Sequence, residues 1–182
     1  MTVGEAKQRV RMLLDAYTSA GRPLEDRDLE ARIPAALDGA QKHLAALKPV
    51  RRMYQVPVTA GASGPVPYPM PRDFLAAVRV TADWQPVPGR FAGGSLLLDG
   101  AESRLIRVEY EALPATIGEA TPDSALLELE EDACACLPIY AAATLATGDP
   151  ACDAAGLMAL FQRQAAGLRV MGGAGVRVVK LV

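Results

Sequence analysis

Apolar residues in the first fifty positions recur every three or four residues. Val3, Ala6, Val10, Leu13, Leu14 and Tyr17 form one such stripe, the spacing that places side chains on a single face of a helix. Thr2 stands just before it and Glu5 three residues further on, a pair in which each side chain can satisfy the other's backbone amide. A helix is predicted over residues 3–19. Gly21-Arg22-Pro23 ends the pattern. A second stripe, Leu29, Ile33, Leu37, Ala40, Leu44 and Leu47, follows Asp26 and Asp28, either of which can cap it. It predicts a helix over residues 26–47. Pro34 falls inside that span and lacks a backbone N–H, so a kink or a fresh start is expected there.

The period changes after Pro49. Between Pro49 and Pro71 proline and glycine are frequent, around a short alternating run from Met53 to Val58, which reads as a strand and then a loop. Leu75 to Ala82, Ser95 to Leu98 and Arg104 to Glu111 are further strand candidates. In the last, Ile106, Val108 and Tyr110 face opposite to Leu105, Arg107, Glu109 and Glu111, and Asp99-Gly100 supplies the turn before it. Helical character returns from Pro122-Asp123-Ser124 to Thr147, predicting a third helix over 123–147. Gly148-Asp149-Pro150 combines a stop, a cap and a first-turn proline, and a fourth helix is predicted over 150–171.

These elements predict an α+β fold: a bundle of four helices, with a small antiparallel sheet from strands within 51–112 inserted between helices two and three. One domain is expected over residues 1–173. Residues 174–182 are expected to form an extended C-terminal arm, because Gly172-Gly173 end the last helix and an apolar run without an internal partner follows.

A length of 182 residues fits one domain, able to bury about two-thirds of its unfolded surface. Hydrophobic residues make up 51% and charged residues 22%, a globular balance in which much of the apolar share is alanine. The 19 basic and 21 acidic side chains leave a net charge of −2, too little to draw the chain toward nucleic acid or an anionic membrane. The apolar stretch Ala133 to Ala146 contains Pro138 and is shorter than the roughly 20 residues a bilayer span needs. It reads as a buried helix. The N-terminus has no basic region before an apolar run, so synthesis inside the cell without a secretory signal is expected. Cys134, Cys136 and Cys152 do not make a disulfide framework and are expected as small reduced thiols.

Chemistry-bearing constellations are sparse. His43 is the single histidine, and the residues one helical turn from it, Gly39, Ala40, Ala46 and Leu47, offer no partner for acid–base work. Cys134 and Cys136 are two positions apart on a helix, about 200° around its axis, and do not converge on a metal. Gly89, Gly93 and Gly94 precede no helix and make no phosphate cradle. No catalytic residue, cofactor or metal is therefore expected. Arg51-Arg52, Arg104 with Arg107, and Arg177 with Lys180 are scattered, and Phe74, Trp84, Phe91 and Phe161 do not interleave with them. Sequence-specific nucleic-acid binding is not expected. Two segments remain as candidate surfaces. The acidic series Glu128, Glu130, Glu131 and Asp132 can line a charged subunit or lumen face. The run Val176, Arg177, Val178, Val179, Lys180, Leu181 and Val182 can add to a partner as a strand or by apolar insertion.

The order of features resembles the head-to-tail adaptor (connector) proteins of tailed bacteriophages. The resemblance is carried by the capped helix Thr2-Val3-Gly4-Glu5, by Ile33-Pro34 with Ala40-Gln41-Lys42, and by Tyr68-Pro69-Met70-Pro71-Arg72-Asp73-Phe74 leading into a strand. Leu137-Pro138-Ile139-Tyr140 with Gly148-Asp149-Pro150 completes it. It implies a non-enzymatic subunit of a neck ring, usually twelve-fold, assembled in the host cytoplasm and located in the virion neck. The implied partners are further copies of the chain, the portal protein, a head-closure or tail protein, and double-stranded DNA in passage; no membrane is involved. On this resemblance Val176 to Val182 are the expected portal-binding arm. The alternatives are a head-closure or tail-completion protein of the same particle, or a small ligand-binding accessory domain.

Overall fold

The computed structural model describes residues 1–15, 26–58, 64–99, 104–147, 149 and 152–171. Among them the elements follow the order α1 (Val3–Leu13), α2 (Arg27–Leu47), β1 (Val50–Val58), β2 (Pro65–Pro69), β3 (Phe74–Ala82), β4 (Gln85–Pro86), β5 (Arg90–Ala92), β6 (Ser95–Asp99), β7 (Arg104–Ala112), α3 (Glu131–Ala146) and α4 (Ala154–Met171). The chain divides into two compact units: a helical unit, in which the chain before α3 joins the four helices, and a sheet unit of the strands from Val50 to Leu113.

In the helical unit α1 starts as its sequence requires. Thr2 Oγ1 accepts a hydrogen bond from Glu5 N at 3.1 Å, and Thr2 N donates to Glu5 Oε2 at 2.8 Å. Other amides at this end are taken up by a distant segment: Val3 N donates to the Ala125 carbonyl at 2.8 Å and Gly4 N to that of Asp123 at 2.9 Å. Leu127 N returns a bond to the Met1 carbonyl at 3.0 Å. Gly4 is what allows this approach, since a Cβ there would stand 2.9 Å from Asp123 Cβ and 3.1 Å from its carbonyl oxygen.

The same contacts explain why α3 begins at Glu131 and not at 123. Carbonyls that a helix would use four residues further on are already accepting from α1, and residues 126–130 alternate instead, with Leu127 and Leu129 buried and Glu128 and Glu130 exposed. Once started, α3 is apolar all round, with Ala133, Cys134, Leu137, Ile139, Ala142 and Leu145 among its buried residues. Such a helix must be covered on several sides, and α1, α2 and α4 all pack against it. Helix α2 runs unbroken through Pro34 behind its cap Asp26, which accepts from Asp28 N and Leu29 N. No fresh start occurs at the proline.

In the sheet unit β7 lies between β1 and β3, antiparallel to both. Ile106, Val108, Tyr110 and Ala112 are buried on one face, as their alternation predicts, and share a core with Val56 and Val58 of β1 and Leu96 and Leu98 of β6. Strand β3 shifts register twice, between Phe74 and Ala76 and between Ala77 and Arg79, each shift inserting one extra residue and bending the strand.

The expectation of one small antiparallel sheet between helices two and three is overturned. The strands make two antiparallel sheets, a four-stranded one ordered β1-β7-β3-β4 that holds most of the strand residues and a three-stranded one ordered β2-β6-β5. The difference has a physical cause. Strand β2 reads Pro-Val-Pro-Tyr-Pro, which looks like a loop because proline cannot donate to a ladder. An edge strand tolerates it, since only one side is paired. Strands β4 and β5 have two and three residues, too few for an alternation to be seen. The turn read at Asp99-Gly100, the end of the first predicted helix and the 174–182 arm lie partly or wholly outside the described residues.

Candidate interaction surfaces

The acidic series is largely engaged within the helical unit. Lys48 Nζ, at the C-terminal end of α2, lies 2.6 Å from Glu130 Oε2 and 2.6 Å from Asp132 Oδ2. Asp132 also accepts from Ala133 N at 2.8 Å, and Glu128 accepts from Ala115 N at 2.7 Å. The Lys48 ammonium holds the Asp132 carboxyl below its ordinary range, and Asp132, then Glu130, raise the pKa of Lys48. Glu131 is exposed. Val176 to Val182 lie outside the described residues.

The segment before α3 is held to α2 by a second network. Asp38 accepts from Gln41 Nε2 at 3.1 Å and from Ile117 N at 2.9 Å, while the buried Gln41 also donates to the Ala115 carbonyl at 2.5 Å. Burial pushes the Asp38 carboxyl up, but hydrogen bonds from Lys42, Ile117 and Gln41 outweigh it and hold the pKa low. His43 stacks on Tyr140 with ring centroids 4.7 Å apart and planes 13° apart, and Phe161 closes the cluster edge-on to Tyr140 at 4.8 Å. It therefore joins α2, α3 and α4 as an aromatic. Cys134 and Cys136 are buried, and burial raises both thiol pKa values. Among the described residues no group of three or more histidine, cysteine or acidic side chains is placed to hold a metal ion, and no helix is long and apolar enough to cross a membrane.

In the sheet unit the segment from Tyr68 to Phe74 ends at a junction. Asp73 accepts from Arg52 on β1 and from the Tyr110 hydroxyl on β7 at 3.3 Å, and its carbonyl accepts from Leu113 N at 2.8 Å. Phe74 stacks on Phe91 with centroids 5.4 Å apart. Desolvation first, and the Asp73 charge second, push the Tyr110 hydroxyl pKa up.

A feature missed in the sequence lies at the β3–β4 turn. Two hairpins here have two-residue turns: Ala82 pairs with Gln85 and Ala92 with Ser95. Both turns use positive φ at both central residues, 56° and 74° at Gly93 and Gly94, 48° and 66° at Asp83 and Trp84. This backbone suits glycine, asparagine and aspartate, and a tryptophan in it is strained. Trp84 is also 75% exposed, with the Arg107 guanidinium 4.7 Å from its ring centroid. Its only visible signal in the sequence was a lone tryptophan among turn-forming residues. Met53 and Leu105 also point outward from this sheet and are 62% and 41% exposed.

The helical unit carries a concavity of about 440 Å³. Its lining combines Leu14, Leu29, Leu145 and Ala146 with the exposed acids Asp15, Asp26, Asp28 and Asp149, and with Arg32. Neither the models of known protein families nor the curated proteins include a match to this chain.

Proposed function

We propose that this chain is a non-catalytic structural subunit of a tailed-phage neck ring. It binds the portal on one side and the next head-completion or tail component on the other, and continues the DNA channel through a twelve-fold ring in the virion neck, assembled in the host cytoplasm. The reading rests on the resemblance in sequence order, and one observation carries it furthest. The segment Tyr68-Pro69-Met70-Pro71-Arg72-Asp73-Phe74, one of those whose order carries the resemblance, ends in the residues that tie β1, β3 and β7 together. Its aspartate and phenylalanine therefore have a physical reason to follow the prolines in this order. In this reading Glu131 is the member of the acidic series left to face a lumen or a neighbouring subunit, and the run from Val176 docks on the portal. Negative-stain imaging of the purified chain with and without portal tests the assignment: a ring seated on the portal is expected, and a portal that gains no density overturns it.

The extent of sheet favours a second reading within the same particle, a head-closure or tail-completion protein. Such a subunit would bind only to a portal that already carries another ring, so mixing the chain with bare portal separates the two.

A further inference from the structure

We infer that residues 115–128 form an Ω-shaped strap on the helical unit, that it opens as one piece ahead of the helices it lies on, and that the first turn of α1 is released with it. One carboxylate closes the loop. Glu128 accepts the Ala115 amide at 2.7 Å across thirteen positions of sequence, so the segment returns on itself as compact surface loops of this size do. Inside it there is no helix, and Thr2 with Leu126 makes only an isolated bridge. The chain turns on local bonds: Thr121 N donates to the Gly118 carbonyl at 3.0 Å, Gly118 N to Thr121 Oγ1 at 2.9 Å, and Ala125 N to the Pro122 carbonyl at 3.0 Å. Both ends are anchored, with Pro114 and Leu129 buried and Lys48 holding Glu130.

What ties the strap down is mostly polar. On α2, Asp38 accepts from Ile117 N at 2.9 Å and Gln41 donates to the Ala115 carbonyl at 2.5 Å. On the α1 side, Lys7 Nζ meets Asp123 Oδ1 at 2.8 Å, Val3 N and Gly4 N donate to the carbonyls of Ala125 and Asp123, and the Met1 carbonyl accepts from Leu127 N. Two of the fourteen strap residues, Ile117 and Leu127, are buried and nine are exposed, whereas eleven of the sixteen residues of α3 are buried. A segment with so little apolar burial opens before a core helix does. The bonds to α1 make the opening shared. The Thr2–Glu5 pair serves the amides of Thr2 and Glu5, so it cannot replace what Val3 and Gly4 lose when the strap lifts.

The inference rests on the helical unit alone and is independent of the neck assignment, which portal binding tests. Amide hydrogen exchange on the whole chain at neutral pH reads the opening. In wild type the amides of Val3, Gly4, Ala115, Ile117 and Leu127 are expected to share one protection factor to within about threefold, well below that of the buried α3 amides. Asp38→Ala removes a tie on α2 while leaving a good helix former, and Glu128→Ala removes the closure. Each is expected to speed exchange about tenfold or more at all five amides, with α3 unchanged. Val3 and Gly4 are the decisive readout, since their bonds involve neither of the altered side chains. Acceleration at Ile117 alone in Asp38→Ala, or at Ala115 alone in Glu128→Ala, would mean that each bond opens by itself and overturns the strap. Wild-type protection at these five positions equal to that of α3 overturns it as well. If Asp38→Ala does not fold, wild type and Glu128→Ala, altered at an exposed position, decide between the same outcomes.

Discussion

Arg52 and Asp73 form an ion pair that reaches past β7, joining β1 to the start of β3 although the two strands are not neighbours. Tyr110, between them in the sheet, donates its hydroxyl to the same carboxylate. The pair is 33% and 24% exposed, so its worth lies below that of a fully buried pair and above that of a surface one. Asp73→Ala is expected to lower stability by about 1–2 kcal/mol, read as a lower urea midpoint with an unchanged slope. A midpoint equal to wild type would show the junction to be idle.

Lys48 gives the helical unit a defined pH dependence. Asp132 has a lowered pKa in the folded chain, so its contribution is present above the unfolded value of about 3.9 and is lost as pH falls through the folded one. Lys48 has a raised pKa, so its contribution is present below the unfolded value of about 10.4 and is lost as pH rises through the folded one. Stability should therefore fall at both ends, below about pH 4 and above about pH 10. Lys48→Met is expected to cost about 1 kcal/mol at neutral pH and to flatten the acid limb. Melting curves across pH check both, and an acid limb unchanged in the variant would assign it to other carboxylates.

Gly4 sets two effects against each other. Alanine in a helix is favoured over glycine by about 0.5–1 kcal/mol, but here its Cβ would stand 2.9 Å from Asp123 Cβ and 3.1 Å from a backbone oxygen. Backbone cannot yield as a flexible side chain does, and overpacking costs about 1–3 kcal/mol. The clash wins, and Gly4→Ala should melt below wild type. A rise in melting temperature would mean that the Met1–Gly4 contact with residues 123–127 is loosely held.

Removing residues 174–182 tests the arm. The truncated chain should fold with wild-type circular dichroism and fail to sediment with portal, and retention of portal binding would remove Val176 to Val182 from the docking surface.

Much of the helical unit was legible in the chain itself. The Thr2–Glu5 pair, the Asp26 cap and the stripes on α1 and α2 are local features, decided by residues a turn apart, and the alternation of β7 is equally local. The start of α3 was not legible, because Asp123 and Ser124 look like a cap until α1 claims the carbonyls of Asp123 and Ala125 from more than a hundred residues away. The second sheet was hidden for a related reason. Proline in β2 is acceptable only once β6 pairs on its free side, and two- or three-residue strands carry no period of their own. The acidic series could be named from the sequence, but not its partner, since Lys48 is distant in the chain from Glu130 and Asp132.

The sequence by itself determined where helices cap, which faces of α1, α2 and β7 turn inward, and how few groups are available for chemistry, because these depend on side-chain type at short spacing. Only the tertiary structure decided that the strands divide into two sheets, that Lys48 claims two of the four acids, and that Trp84 stands exposed on a strained turn. Those outcomes follow from pairing and burial between segments far apart in the chain, where backbone hydrogen bonds and desolvation override local preference.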